Sequence, residues 1–513
     1  MIFFKRGDLD AQTRFNLALA MYNRGVDDWG LVTELAKRHN VSREFLYQNA
    51  RLIEDAFQPH AAVPAESFSS IDFDKLLLCL RLYCKSSIDG ISRLFKEMGW
   101  RCGSAGHVSE FLSAVASRCA IEIPAMEHPV VFLLDETFNN GEPILVVMEA
   151  LSHYIYAICP ASDRKAETWE DVLKKLQVAG VHIGLNVKDQ GGSLKAAVKE
   201  LRLTERADLF HLLKPFDPFL GHLERRAYGA IENEYERLRI FGNRKTRESC
   251  QKARKQYKQA CRAASQAMRL SDNYNYLHLC LHESFNSFSC EGRLRTKAEA
   301  ENDLMAAMEL IETEFSYHQK ILDAVKFLRQ NLADYWSYFE QLEQIVPGYA
   351  GIIPEYSLHA ACLSWQLDRK SRAVKSGSLK KKFARHAKEL LELILTGADD
   401  KFNDRVKALF ADLDSNVRSS SPLEAINSVI RTMLNSCRGQ ISQKTLNMIA
   451  FFMNHRQALR GRYAGSSPYE RLTGISEKGS PIEKLLELSS RNAGNTLAGE
   501  EQDAPELVLL KAS

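Results

Sequence analysis

Apolar residues recur at two periods along this chain, and the change of period divides it. From residues 11 to 57, Leu31, Leu35, Ala36, Val41, Phe45, Leu46 and Leu52 fall at helical spacing, which predicts helices throughout. Leu35 to Tyr47 reads as a helix, a short turn and a second helix opened by Ser42. A loop rich in Pro, Ala and Ser spans 58–70, and a second helical unit covers Asp72 to Cys119. There, Ile88 to Gly99 followed by Ser104 to Val115 repeats the helix-turn-helix pattern. The period then shortens. Val130 to Leu134, Ile144 to Glu149 and Tyr154 to Ile158 are apolar runs parted by Asn139, Asn140 and Gly141 and by Ser152 and His153, the pattern of an antiparallel meander. A helix over Glu167 to Val178, a strand over Ile183 to Val187, a helix over Ser193 to Leu201 and a strand around Ala207 to Phe210 follow. From Lys214 to about Asp414 the pattern is helical again. A stretch of that length cannot be a loop in a compact domain, so it predicts an inserted all-α domain. The next helix is expected over Ser421 to Asn435, and the tail from Glu477 to Ser513 is expected to be largely disordered.

Chemistry enters where strands meet carboxylates. The strand Phe132-Leu133-Leu134 runs into Asp135, Glu136 and Thr137, and 189 − 135 = 54 residues later a second apolar strand runs into Lys188, Asp189 and Gln190. One such aspartate is ordinarily a turn former. Two at neighbouring strand ends would suit Mg²⁺, a hard cation that takes carboxylate and phosphate oxygens. A pair of such ions stabilises the attacking and leaving oxygens of an in-line phosphoryl displacement. A third acid stands at the helix opened by Ser421 and Pro422, where Glu424, Asn427 and Arg431 at i, i+3 and i+7 present a carboxylate, an amide and a cation on one face. Glu224, at 189 + 35, and Glu232 are alternatives for that third position; Glu224 stands beside Arg225 and Arg226, so a surface ion pair accounts for it.

Charge matters through its distribution. Of the chain's 513 residues, 68 are basic and 65 acidic, which nearly cancel. Between Arg237 and Leu270, however, eleven Lys or Arg face one acid, Glu248, and between Arg369 and Lys388 nine face none. Clusters of this kind are the footprint of a polyanion partner, or else solvated helix faces. Arg244, Lys245, Arg247, Lys380, Lys381 and Lys382 are the candidates to track phosphates, and Arg43, Gln48 and Arg51 to touch DNA from the first helix-turn-helix. Trp336 and Trp365 offer aromatic faces for a splayed base, with burial in a core the stronger expectation. The eleven cysteines include no Cys-x-x-Cys pair, so neither a disulfide framework nor a zinc site is indicated, and the compartment is expected to be reducing. No run approaches the ~18 apolar residues of a membrane span. The expected location is the cytoplasm, in association with the nucleoid.

These residues together resemble the DDE transposases of bacterial insertion sequences, specifically those whose RNase H-like core is split by a helical insertion. The resemblance rests on Leu134-Asp135-Glu136-Thr137, Lys188-Asp189-Gln190-Gly191, Ala207-Asp208-Leu-Phe-His211 and Leu423-Glu424-Ala-Ile-Asn427 with Arg431. It extends through Phe451-Phe-Met-Asn454-His-Arg456 to Gly465-Ser-Ser-Pro468-Tyr-Glu-Arg-Leu472-Thr-Gly474, and so covers about residues 125 to 475. It implies an α/β RNase H-like core at 125–214 and 416–475, interrupted by an all-α insertion at 215–415. Helix-turn-helix DNA-binding units would precede it at 1–60 and 71–122, and a flexible tail would follow at 476–513. It further implies that Asp135, Asp189 and Glu424 ligate two Mg²⁺ or Mn²⁺ ions, with His211, Asn427 and Arg431 near the site. Metal-dependent cleavage at element ends and strand transfer into target DNA would follow, carried out by a homodimer or larger assembly on double-stranded DNA. A domesticated regulator that only binds DNA, and an RNase H-like nuclease for structured nucleic acid, are the alternatives.

Overall fold

The computed structural model describes residues 9–24, 28, 30–57, 72–100, 103–244, 246–437, 441–490 and 509–511. They fall into two compact units, residues 1–72 and 73–513.

The first unit holds three helices, α1 (Ala11–Tyr22), α2 (Leu31–Arg38) and α3 (Arg43–Phe57). Their shared core is small: Leu17, Met21, Leu35, Val41, Phe45 and Leu46. Asn40 takes a left-handed backbone with φ of 49°, which turns the chain between α2 and α3. Ser42 Oγ then accepts from Phe45 N at 3.0 Å and satisfies a free donor of the first turn of α3.

The second unit begins with α4 (Phe73–Leu78), which runs into a π-helical turn at Cys79–Tyr83, then α5 (Ile88–Glu97) and α6 (Ala105–Ala116). These helices were expected to form a separate DNA-binding unit. Instead Leu78, Ile91, Phe95, Val108 and Leu112 join the same hydrophobic core as the sheet. The exposed side of α6 carries Gly106, His107, Ser109, Glu110 and Ser113, and no Lys or Arg occurs in the helix. Its helical period is therefore the signature of packing against a core, and it lacks the cations that phosphates require.

After the short β1 (Ile121–Ile123), whose partner is β7 (Leu509–Lys511), the chain builds a mixed sheet from β2 (Val130–Asn139), β3 (Glu142–Glu149), β4 (Ile155–Pro160), β5 (Ile183–Lys188) and β6 (Glu205–Ala207). Spatial order is β4-β3-β2-β5-β6; β2 is antiparallel to β3 and parallel to β5. Phe132, Leu133 and Leu134 are all fully buried, as expected of a strand covered on both faces. Each contributes about 1.5–3 kcal/mol by leaving water. Between β4 and β5 lies α7 (Ala166–Val178), with Trp169, Val172, Leu173 and Leu176 buried at i, i+3, i+4 and i+7. Between β5 and β6 lies α8 (Gly192–Glu200).

From α9 (Leu209–Leu213) onward the chain is helical: α10 (Asp217–Gly242), α11 (Arg247–Ser284), α12 (Lys297–Glu314), α13 (Gln319–Asn331), α14 (Ser337–Ile345), α15 (Glu355–Ala373), α16 (Gly377–Leu395) and α17 (Asp400–Ser415). This stretch has its own core, built on Tyr274, Leu281, Phe285, Leu304, Ile311, Val325, Tyr338, Phe339 and Leu409. Trp336 and Trp365 belong to that core, each 5% exposed, which leaves no face for a base to stack on. The sheet region resumes with α18 (Ser421–Asn435), α19 (Gln443–His455) and α20 (Pro468–Thr473). On α19 the Asn454 side chain accepts from Ile155 N at 2.8 Å and donates to Ile155 O at 3.0 Å, so it satisfies both backbone groups of a residue on the edge strand β4.

Three further expectations need correction. The tail from Glu477 contains α21 (Pro481–Ser490), with Ile482 and Leu485 buried and Glu483 paired to Lys75 at 2.7 Å. Its start is a Ser480/Glu483 capping pair, with Glu483 N donating to Ser480 Oγ and Ser480 N to the Glu483 carboxylate. The strand expected at Ala207 to Phe210 lies earlier, over Glu205–Ala207, because Asp208 caps α9 and turns Phe210 and His211 into that helix. Finally, β2 does not end at Asp135. Asn140 and Gly141, with φ of 49° and 90°, close a tight hairpin that extends β2 and β3 beyond it. Among the described residues, no helix is long and apolar enough to cross a membrane.

Candidate active site

The parallel neighbour β5 fixes where Asp135 lies. Leu134 pairs with Lys188, the last residue of β5, so Asp135 and Asp189 occupy the next step, where β2 passes the end of β5. Asp135 is 8% exposed. It accepts from Glu136 N at 2.8 Å and from Asn427 Nδ2 at 2.8 Å. Because successive strand residues point to opposite faces, α18 covers the Asp135 face of the sheet and α7 the other. There Glu136 accepts from Trp169 Nε1 at 3.2 Å and pairs with Arg164 at 3.1 Å, a structural role that separates it from its neighbour. Asp189 Oδ1 accepts from Gly191 N at 3.0 Å, which shapes the turn into α8.

Glu424 arrives from across the insertion. Its position depends on how the two ends of that detour are tied. Asp208, fully buried, accepts from Phe210 N, from Ser420 N at 2.9 Å, from Ser420 Oγ and from His211 Nδ1 at 2.5 Å. Leu209 N donates to Arg418 O at 3.0 Å. Arg206, buried on β6, donates to Asn416 Oδ1 at 2.7 Å, to Val417 O at 2.5 Å and to Gln341 Oε1 at 3.0 Å. The segment leaving the sheet and the segment returning to it are thus bonded to each other, and the first turn of α18 is set over β2.

At that turn Glu424 meets an imidazole and two cations: His211 Nε2 at 3.6 Å, Lys214 Nζ at 3.5 Å and Arg431 at 3.3 Å. Burial, then the nearby Glu424 and Asp189 charges, push the Asp135 pKa up from 3.8 to about 6, although the Glu136 amide bond and His211 oppose the rise. For His211, burial opposes protonation, but the Asp208 hydrogen bond and the Asp208, Asp135 and Asp189 charges outweigh it and raise its pKa. These four groups therefore lie within each other's fields, and Asn427 is in direct contact with Asp135.

A hard cation fits this donor set. Asp135, Asp189 and Glu424 offer carboxylate oxygens alone, and the burial and neighbouring negative charge that raise Asp135 are what a bound cation would offset. Beside them Asn427 Oδ1, the Gln190 amide and Thr137 Oγ1 are buried without a hydrogen-bond partner. The three carboxylates do not converge on one point: among the described residues, only Asp217, His278 and His282 bring three ligand atoms within 4.8 Å of one another.

The other sequence candidates are dispersed. Glu224 and Glu232 are exposed on α10, whereas Glu424 and Asp189 are the carboxylates that raise Asp135. Arg244, Arg247, Lys380, Lys381 and Lys382 are exposed on the helical stretch, and Lys245 lies outside the described residues. In the first unit Arg43 and Arg51 are exposed on α3, while Gln48 is half-buried and donates to Glu44 at 3.3 Å. Two residues of the site were given no role in advance. Asp208 is signalled only by its i, i+3 spacing to His211, and Lys214 carries no signal beyond its charge. Compared with models of known protein families and with curated proteins, the chain matches none.

Proposed function

We propose that this chain is a DDE-type DNA transposase with an RNase H-like core, which cuts the ends of a mobile element and joins them to target DNA. The observation that carries the reading is the meeting of Asp135 and Asp189, on neighbouring parallel strands, with Glu424, which the tied ends of the insertion bring back to the same field. Asp135, Asp189 and Glu424 would hold the metal through their carboxylate oxygens. Mg²⁺ or Mn²⁺ held there would supply Lewis-acid stabilisation of the attacking and leaving oxygens.

The chain's own residues do the rest. Asn427 donates to Asp135 Oδ2 and fixes the orientation of that carboxylate, whose remaining lone pairs are left for ligation. His211 is oriented by Asp208 through Nδ1 and presents Nε2 to Glu424, so it sets the rotamer of that ligand and can carry a proton beside it. Lys214 and Arg431 balance the Glu424 charge and are placed to meet phosphate oxygens as DNA enters. Exposed Arg244, Arg247, Lys380, Lys381 and Lys382 would hold the DNA backbone, with α3 reading element ends through Arg43 and Arg51. Synapsis of two ends calls for a homodimer or larger assembly.

The test is incubation of the full chain with DNA from both flanks of its own gene and Mg²⁺ or Mn²⁺, with nicks and joined products mapped beside Asp135→Asn. Cleavage and joining at paired repeats, absent in the variant, is expected. Specific binding without cleavage would replace this reading with a DNA-binding regulator; cleavage of branched DNA without joining would replace it with a structure-specific nuclease.

A further inference from the structure

At the base of the helical insertion, three ligand-bearing side chains converge away from the carboxylates just described. On α11, Tyr274, His278 and His282 lie at i, i+4 and i+8 and form one stripe facing the start of α10. Tyr274 donates its hydroxyl to Phe216 O at 2.8 Å, and His278 Nε2 bonds Asp217 Oδ1 at 3.1 Å. The third member of the stripe is different. The His282 ring packs against His278 with centroids 4.6 Å apart, and it makes no hydrogen bond. Asp217 in the first turn of α10 and its bond to His278 are accounted for by helix capping charge and a helix-to-helix tie. His282 is exposed, so its nitrogens are open to solvent beside the His278–Asp217 pair.

We propose that Asp217, His278 and His282 form a transition-metal site of the Zn²⁺ class that staples the start of α10 to α11. Their ligand atoms lie within 4.8 Å of one another; Asp217 and His282 are exposed and His278 is half-buried, which leaves room for water to complete a tetrahedral shell. Two imidazoles at i, i+4 on one helix with a carboxylate from another suit Zn²⁺, whereas Mg²⁺ demands oxygen donors. The two centres of this chain would therefore select different ions. Lys214, the partner of Glu424, lies one turn before Asp217, so a metal at the base of α10 would hold the segment that carries Lys214 in place. No cysteine takes part, which is why cysteine spacing gives no sign of it.

The experiment is calorimetric titration of the chelator-stripped full chain with Zn²⁺ in excess Mg²⁺, repeated with Co²⁺ while visible absorption is followed. One Zn²⁺ per chain is expected for the wild type and for Asp135→Asn, which keeps this outcome independent of the transposase reading. The double variant His278→Ala/His282→Ala should lose the binding and the Co²⁺ bands while its metal-free melt matches the wild type. Should that variant fail to fold, Asp217→Asn carries the test. Loss of even an outer-shell partner weakens metal sites 10–100-fold, so loss of this charged ligand should weaken Zn²⁺ by at least about tenfold. No stoichiometric Zn²⁺ uptake by the wild type, or uptake unchanged in both variants, would overturn the proposal.

Discussion

The sheet and the helical insertion place functional groups by different means. In the sheet, position follows from register: once Leu134 pairs with Lys188, Asp135 and Asp189 lie side by side, and a slip of one residue in either strand would send its own aspartate to the opposite face. In the insertion, some two hundred residues fold around their own core and affect the site chiefly through their two ends, bound together by Arg206, Asp208 and the Leu209–Arg418 backbone bond. Two acids of the proposed triad are thus fixed locally, and the third is fixed by closure of a long detour. The first arrangement is robust to changes far away in the chain; the second fails wherever the closure is cut.

The largest effect should come from the register-fixed side. Asp135→Asn or Asp189→Asn is expected to lower metal-dependent DNA cleavage by about 1000-fold or more, with DNA binding retained, as read from nicking rates and from mobility shifts. Loss of DNA affinity in step with cleavage would instead mean that these acids hold the fold.

Next in size is the closure itself. Asp208→Ala leaves Ser420 N buried without an acceptor and frees His211, which should cost about 3 kcal/mol of stability in a denaturant melt and abolish cleavage. Asp208→Asn keeps one oxygen for Ser420 N and should recover most of the stability while cleavage stays low. If Asp208→Ala cleaves normally, the insertion ends do not position Glu424.

The burial of Asp135 beside other carboxylates predicts a pH dependence. Between pH 4 and 6 the folded metal-free protein keeps a proton on Asp135 that the unfolded chain has lost, so stability falls as pH rises through this window and levels off above about 6. The rise from 3.8 to about 6 corresponds to about 3 kcal/mol as an upper bound. His211 acts in the same direction at higher pH, since a raised histidine pKa stabilises below it and is lost above. Melts of the metal-free protein from pH 4 to 8 should show the decline, Asp135→Asn should remove its lower part, and saturating Mg²⁺ should reverse it.

The smallest effect belongs to the insertion surface. Replacing Lys380, Lys381 and Lys382 with alanine should reduce the slope of log affinity against log salt by about 3 and weaken all DNA sequences alike, with kcat unchanged. A sequence-specific loss would place these lysines at base edges.

The same contrast decides what the sequence could reveal. The apolar strands, the Asn140-Gly141 turn and the paired aspartates were legible because periodicity and turn chemistry act over a few residues. Helix α18 was legible from Ser421-Pro422, and the Glu424-to-Asn427 spacing put both on one face. The misreadings share a cause. The helical period of α6 is identical whether the apolar face meets a sheet or a small independent core, and only its missing cations distinguish the two cases. The Ser480/Glu483 capping pair was present in the sequence, but polar composition further along obscured it. Contacts closed across the insertion, such as Asp208 to Ser420 and Lys214 to Glu424, leave no mark at short range, so the Asp-x-x-His motif showed Asp208 without its tie to Ser420, and Lys214 emerges only in three dimensions.

The central claim is that Glu424, rather than the locally spaced Glu224, completes the metal centre with Asp135 and Asp189. Mn²⁺ binding followed by electron paramagnetic resonance on the wild type, Glu424→Gln and Glu224→Gln tests it directly. The account predicts a spin-coupled ion pair in the wild type and in Glu224→Gln, with the coupling lost in Glu424→Gln. A coupled pair that survives in Glu424→Gln and disappears in Glu224→Gln would contradict it.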